Sequence, residues 1–136
     1  MAKNLIKVHY KGPEMMEHLW AKPMKGNTAR LMNIPFQDGI SLHDVVLLDD
    51  ELNIINLVKK KTDRITIRYN LNNKTLHRDW KKMIKYFIDN KIAIEGVQAG
   101  YASLAIPCNM KFDKLEVIIN KSPIKIIEFG GHWIGK

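Results

Sequence analysis

Between Leu76 and Ile88 the large apolar residues are Leu76, Trp80, Met83, Ile84, Phe87 and Ile88, at steps of four, three, one, three and one. Only a helix gathers that spacing onto one stripe, so the segment predicts an amphipathic helix that must bury one face. Its flanks follow a different period. Ile65-Thr66-Ile67-Arg68-Tyr69 reads as a strand before it; Ile92 to Val97 and Tyr101 to Ile106 read as strands after it. Asn72-Asn73-Lys74-Thr75 supplies turn and N-cap chemistry ahead of the helix, and Asn90-Lys91 ends it. A second helical segment starts at Asn109 and sets Phe112, Leu115, Ile118 and Ile119 on one face, Ser122-Pro123 stops it, and Ile124 to Phe129 is a last strand. The order β-α-β-β-α-β is the split βαβ of ferredoxin-like folds, in which each helix can cover the same sheet face.

Upstream the chain changes character. Leu5 to Tyr10, Glu17 to Pro23, Ala29 to Met32, Asp44 to Leu48 and Leu52 to Lys60 read as five short strands. They are separated by the turns Lys11-Gly12-Pro13, Lys25-Gly26-Asn27, Gln37-Asp38-Gly39 and Asp49-Asp50-Glu51. Five strands at this spacing predict a small β-barrel-like (SH3-like) half. The expected fold is therefore α+β, with residues 1–61 as the barrel-like half and 62–136 as the ferredoxin-like half. No Ser/Gly linker divides them, so the two are expected to pack as one compact unit.

The 136 residues are 46% hydrophobic, enough for a core and too many for disorder. No run approaches the roughly 18 apolar residues of a membrane span, and the apolar run after Lys3 is too short for a secretory signal. A cytoplasmic location without membrane contact is expected. The single cysteine, Cys108, cannot form an internal disulfide and reads as a partly buried hydrophobe. Net charge is +8. It is concentrated in the second half, which suggests an anionic partner, nucleic acid or an acidic protein surface.

Catalytic signals are absent from the sequence pattern. There is no Gly-rich phosphate loop and no zinc-type cysteine pair. None of His9, His18, His43, His77 and His132 is spaced as a metal pair. His43 and Asp44 adjoin, but neighbours on a strand point to opposite faces. An enzyme would need His43, Asp44, His132 or Cys108 to converge in space. No catalytic residue, metal or cofactor is assigned. Among basic residues, Arg78, Lys81 and Lys85 follow one solvent stripe of the first helix, either its wet face or a docking stripe. Tyr69 and Tyr101 end and begin strands, yet the aromatic signature of RNA-binding sheets is missing. Gly130-Gly131-His132-Trp133 reads as a flexible tail with an aromatic end.

The most distinctive stretch is Arg30-Leu31-Met32-Asn33-Ile34-Pro35-Phe36, followed by Ser41-Leu42-His43-Asp44-Val45-Val46 and preceded by Leu19-Trp20-Ala21. It resembles the bacterial family known as domain of unknown function 4265, most specifically over residues 17–48. Ala29 stands where that family usually has an aromatic, and His43 where it has a small residue. The resemblance implies a small two-part protein and no reaction. Physically the stretch reads as a corner of the barrel, with the fixed φ of Pro35 and the local hydrogen bonds of Asn33 and Ser41 shaping the turn and Asp44 pinning a loop. The expected function is a non-catalytic binding protein, an immunity- or antitoxin-type inhibitor that neutralises a bacterial toxin by direct contact, with Trp20, Phe36, His43, Asp44, Arg78, Lys81, Lys85 and Trp133 as candidate contacts. Its partner would carry an acidic surface. The alternative is a nucleic-acid-binding regulatory protein that uses the basic helix face.

Overall fold

The computed structural model describes residues 4–69, 76–98 and 100–131. Five strands, β1 (Ile6–Lys11), β2 (Met16–Pro23), β3 (Thr28–Leu31), β4 (Val45–Leu48) and β5 (Ile54–Lys59), form one antiparallel sheet in sequence order. Burial alternates along β3 and β4 and through Leu19-Trp20-Ala21 of β2, as a one-sided sheet requires. Val8, Leu19, Ala21, Ala29, Leu31, Val46 and Leu48 face inward, joined by Ile40. Register shifts between β4 and β5 on both sides of Val46-Leu47 bend the sheet. It curls far enough that the His9 amide, on β1, donates to the Leu52 carbonyl ahead of β5 at 2.9 Å. The result is a curled half-barrel.

The second sheet contains β6 (Thr62–Tyr69), β7 (Ala93–Gln98), β8 (Tyr101–Pro107) and β9 (Ile126–Gly131), in the spatial order β7-β8-β6-β9 with every neighbouring pair antiparallel. Ile65 lies opposite Leu104 and Ile67 opposite Ala102, which puts one apolar row on one face. Met83 and Phe87 of α1 (Leu76–Asp89) and Leu115, Ile118 and Ile119 of α2 (Phe112–Asn120) share a core with that row, so both helices cover it. Each fully buried side chain of the Phe87 or Leu104 class contributes roughly 1.5–3 kcal/mol. No helix among the described residues is long and apolar enough to cross a membrane.

Four local expectations are corrected. β6 begins at Thr62, not Ile65, because the polar pair Asp63 and Arg64 is buried (1% and 8% exposed) and lies opposite Ile106 and Ala105 of β8. Ile88 belongs to the helical stripe but is 58% exposed, since the stripe is wider than the face that meets the sheet. The second helix begins at Phe112; a turn with Met110 donating to the Pro107 carbonyl precedes it. Gly130 and Gly131 are not tail but strand, paired with Thr66 and Ile65. The candidate N-cap residues Asn72 to Thr75 lie outside the described residues.

Candidate functional site

Residues 32–44 connect β3 to β4, and the two ends of this excursion meet. The His43 amide donates to the Leu31 carbonyl at 2.8 Å and the Leu31 amide to the Asp44 carbonyl at 3.0 Å. A compact loop closed at its neck in this way holds its shape by its own contacts. Ile34, Gln37, Ile40, Ser41 and Asp44 within it are all buried. The distinctive sequence stretch thus runs from the end of β3 to the start of β4, and between them residues 32–44 are a folded loop inserted between the two sheets.

Its bonds reach both halves. On the barrel side, Glu17 accepts from the Phe36 and Gln37 amides at 2.8 Å each. The Gln37 side-chain oxygen accepts from the Glu14 and Met15 amides, and its amide group donates to the Met15 carbonyl. Asn33 accepts from the Trp20 amide at 2.7 Å. On the other side, Arg64 of β6 donates from Nε to the Pro35 carbonyl at 2.6 Å and pairs through NH1 with Asp38 at 2.9 Å. Its NH2 reaches Ser103 Oγ at 3.1 Å. The Ile34 amide donates to Glu95 of β7 at 2.8 Å. Burial of Glu95 pushes its carboxyl above the ordinary range, more than that amide lowers it. Most buried polar groups of the loop are therefore satisfied, the condition for a rigid surface on irregular chain.

Asp44 is the neck's anchor. It has no exposed surface, and its two oxygens accept from the amides of Ser41 (2.8 Å), Lys61 (2.7 Å) and Thr62 (3.2 Å) and from Lys60 Nζ (2.9 Å). This corrects its candidacy as a contact residue: the side chain is sequestered and ties the loop to the junction of β5 and β6. Trp20 and Phe36, by contrast, are 46% and 47% exposed. Trp20 stands on the outer face of β2 with Lys7 Nζ 5.3 Å from its ring centre. Phe36 projects from the loop between two shallow concavities, one shared with Pro13, Arg64 and Tyr101, the other with Leu19, Ile34 and Glu95. His43 is exposed, in the left-handed region at φ 69°, which explains why a small residue suits that position. Lys81 is exposed on α1, and Lys85 pairs with Asp89 at 2.9 Å. The Arg78 side chain and the whole of Trp133 lie outside the described residues. The structure does not bring Lys81 and Lys85 to the loop's elements: they sit on the helix that covers the opposite face of the second sheet.

Of the groups considered for catalysis, His43, Asp44 and Cys108 are among the described residues. Asp44 is saturated by its four donors. The Cys108 thiol is pushed up by burial and by Asp63, so it is a poor nucleophile near neutral pH. His132 lies outside the described residues. Among the described residues no group of three His, Cys, Asp or Glu side chains could hold a metal ion.

Sequence reasoning missed three features. His9 and His18 face each other across β1 and β2, Nδ1 to Nδ1 2.7 Å, a pairing that the hairpin register around Gly12-Pro13 would have given. Arg64 stands just ahead of the strand read from Ile65 and drew no role of its own. A cluster of cations from both halves, Arg30, Lys61 and Lys91, had no signal in any local window.

The family described as Domain of unknown function (DUF4265) matches residues 17–125. No curated protein matches the chain. One solved structure is similar, a crystal structure of a hypothetical protein from Neisseria gonorrhoeae, with a TM-score of 0.61 at 20% identity over 88% of this chain and 85% of that one. At that identity the likeness concerns the fold alone.

Proposed function

Since this chain belongs to the DUF4265 family, whose description names no reaction, we propose from its own geometry that it is a non-catalytic protein-binding module. The observation that carries this reading is Phe36, a half-exposed aromatic on a loop that Glu17, Gln37, Arg64 and Glu95 hold rigid. Rigid aromatic anchors lose little entropy on binding and dominate interface energetics. The finer form of the proposal is an immunity- or antitoxin-type inhibitor that occludes a toxin, with the net charge of +8 favouring an acidic partner surface. Structurally we read the halves as SH3-like and ferredoxin-like; the strand order β7-β8-β6-β9 supports the second assignment. On that reading the sheet face opposite the helices, where RNA-binding relatives of such folds stack bases, is partly occupied by the loop through Arg64, Ser103 and Glu95. This favours a protein partner over RNA.

The test is affinity purification of the tagged chain from bacterial cytosol, with and without nuclease, beside Phe36→Ala. A stoichiometric protein partner that survives nuclease and high salt, and whose affinity falls by about thirtyfold in Phe36→Ala, is the expected result. Material lost on nuclease treatment would replace this reading with the nucleic-acid one.

A further inference from the structure

Where the neck of the loop meets the second sheet there is a cleft of ≈ 390 Å³, lined by Arg30, Leu42, His43, Lys61, Thr62, Lys91 and residues at the ends of β7 and β8. The volume falls in the range of small-molecule sites, about 300–1,000 Å³. Its walls come from both halves. Arg30 and His43 belong to β3 and the loop neck, Lys61 and Thr62 to the junction, and Lys91 to the turn after α1.

Three observations on this cleft point the same way. First, its charge is one-sided. Three permanent cations and a histidine line it, and no carboxylate does so among the described residues. The nearby Asp44 is spent on four other donors, with Lys60 rather than Lys61 as its cation. Arg30, Lys61 and Lys91 have no ion-pair partner among the described residues. Second, Arg30 Nε is buried and has no hydrogen-bond partner. A buried donor left unpaired is costly and calls for an acceptor. Third, the lining is strained. Of the four non-glycine residues at positive φ among the described residues, two, His43 (69°) and Lys91 (66°), stand in this cleft. Lys91 occupies the C′ position of a Schellman cap, with its own amide bonded to the Ile88 carbonyl and the Ile92 amide to the Phe87 carbonyl. Glycine is the usual residue there. Left-handed backbone retained at the expense of stability clusters at functional sites. The cap also occupies helix carbonyls that would otherwise oppose an anion at the end of α1.

We infer that the cleft is a binding site for a small phosphate-bearing molecule, held by Arg30, Lys61 and Lys91 with His43 at its rim. Phosphate supplies several acceptor oxygens for the Arg30 guanidinium and two ammonium groups, and charge-assisted bonds of this kind are strong. The site is separate from the Phe36 ridge and does not depend on it.

The experiment is calorimetric titration of the full chain with sodium pyrophosphate, and separately with ADP, at constant ionic strength. Saturable one-to-one binding of either is expected. Lys91→Gly should raise the urea midpoint, because it relieves the left-handed residue, and yet weaken binding by about tenfold or more, because it deletes a charged donor. Arg30→Gln should weaken it likewise, and Lys114→Gln, on the far helix, should change nothing. Opposite signs on stability and affinity in Lys91→Gly separate a ligand role from a folding defect. Absence of saturable binding to both probes overturns the inference. So does pyrophosphate binding that Lys91→Gly and Arg30→Gln leave intact, or binding confined to oligonucleotides.

Discussion

Replacing Asp44 by alanine should be among the most damaging single changes to this chain. The carboxylate accepts four hydrogen bonds in a site with no solvent exposure. Lys60 retains 23% side-chain exposure and can turn to water, so its loss costs little. The backbone amides of Ser41, Lys61 and Thr62 cannot turn. Buried donors without partners cost about 1–3 kcal/mol each, and the Thr62 bond at 3.2 Å is the weakest of the three. The sum is a loss of about 3–5 kcal/mol, a large share of the ~5–15 kcal/mol available to a domain. Equilibrium unfolding in urea measures it, read by far-UV circular dichroism and by fluorescence. Trp20 in the barrel and Trp80 on α1 put a reporter in each half, so coincident transitions test whether the halves unfold together. A double mutant with Lys60→Met should be no worse than Asp44→Ala by more than about 0.5 kcal/mol, since both changes remove one bond. A loss below about 1 kcal/mol at unchanged m-value would refute the anchoring role.

Other consequences are as direct. Glu95→Gln keeps an acceptor for the Ile34 amide and removes a desolvated charge. Because burial raises the folded-state pKa, the wild-type advantage of protonated Glu95 is full below the ordinary glutamate range and is lost as pH rises through the raised value; the substitution should flatten that part of the stability–pH curve. Although the His43 ring is exposed, partial desolvation and then Arg30 lower its pKa, so the unfolded chain protonates first on acidification. His43→Gly should reduce the stability lost below the ordinary histidine range near pH ~6.5 and, by relieving φ 69°, add up to about 1 kcal/mol at neutral pH. A methyl group at Gly12 would collide with the Gln37 side-chain amide, which is 4% exposed and held by several bonds; Gly12→Ala should cost about 2 kcal/mol or more in a thermal or urea melt.

The parts legible in the sequence are those where one period decides. Met83 and Phe87 are buried because the helical stripe can face only one way, and Ile65 and Ile67 because a strand alternates. Reading failed where polar residues are inside. Asp63 and Arg64 carry charge and were left outside the strand, whereas the Pro35 carbonyl, Asp38 and Ser103 make a buried arginine satisfiable. No local window announces such a partner. Asp44 was read as pinning a loop, and it does, but its donors at residues 60–62 had no local signal; nor had the cleft, whose cations belong to separate elements. Trp20 and Phe36 were readable as candidate contacts; that one stands on a strand and the other on a loop fixed by both sheets was not.

The closed neck of residues 32–44 has a practical consequence for anyone wishing to splice a reporter or tag into this scaffold. Irregular chain is commonly taken as permissive chain, and this protein has two irregular stretches that behave as opposites. At the β2–β3 turn, Gly26 has open space around it and its neighbours are exposed, so added residues would trail into water. Within the loop, the backbone of residues 34–37 is held by side chains of one sheet or the other. An insertion there would prise apart the two layers that it mortises together, and the graft would fail through the framework rather than through the guest.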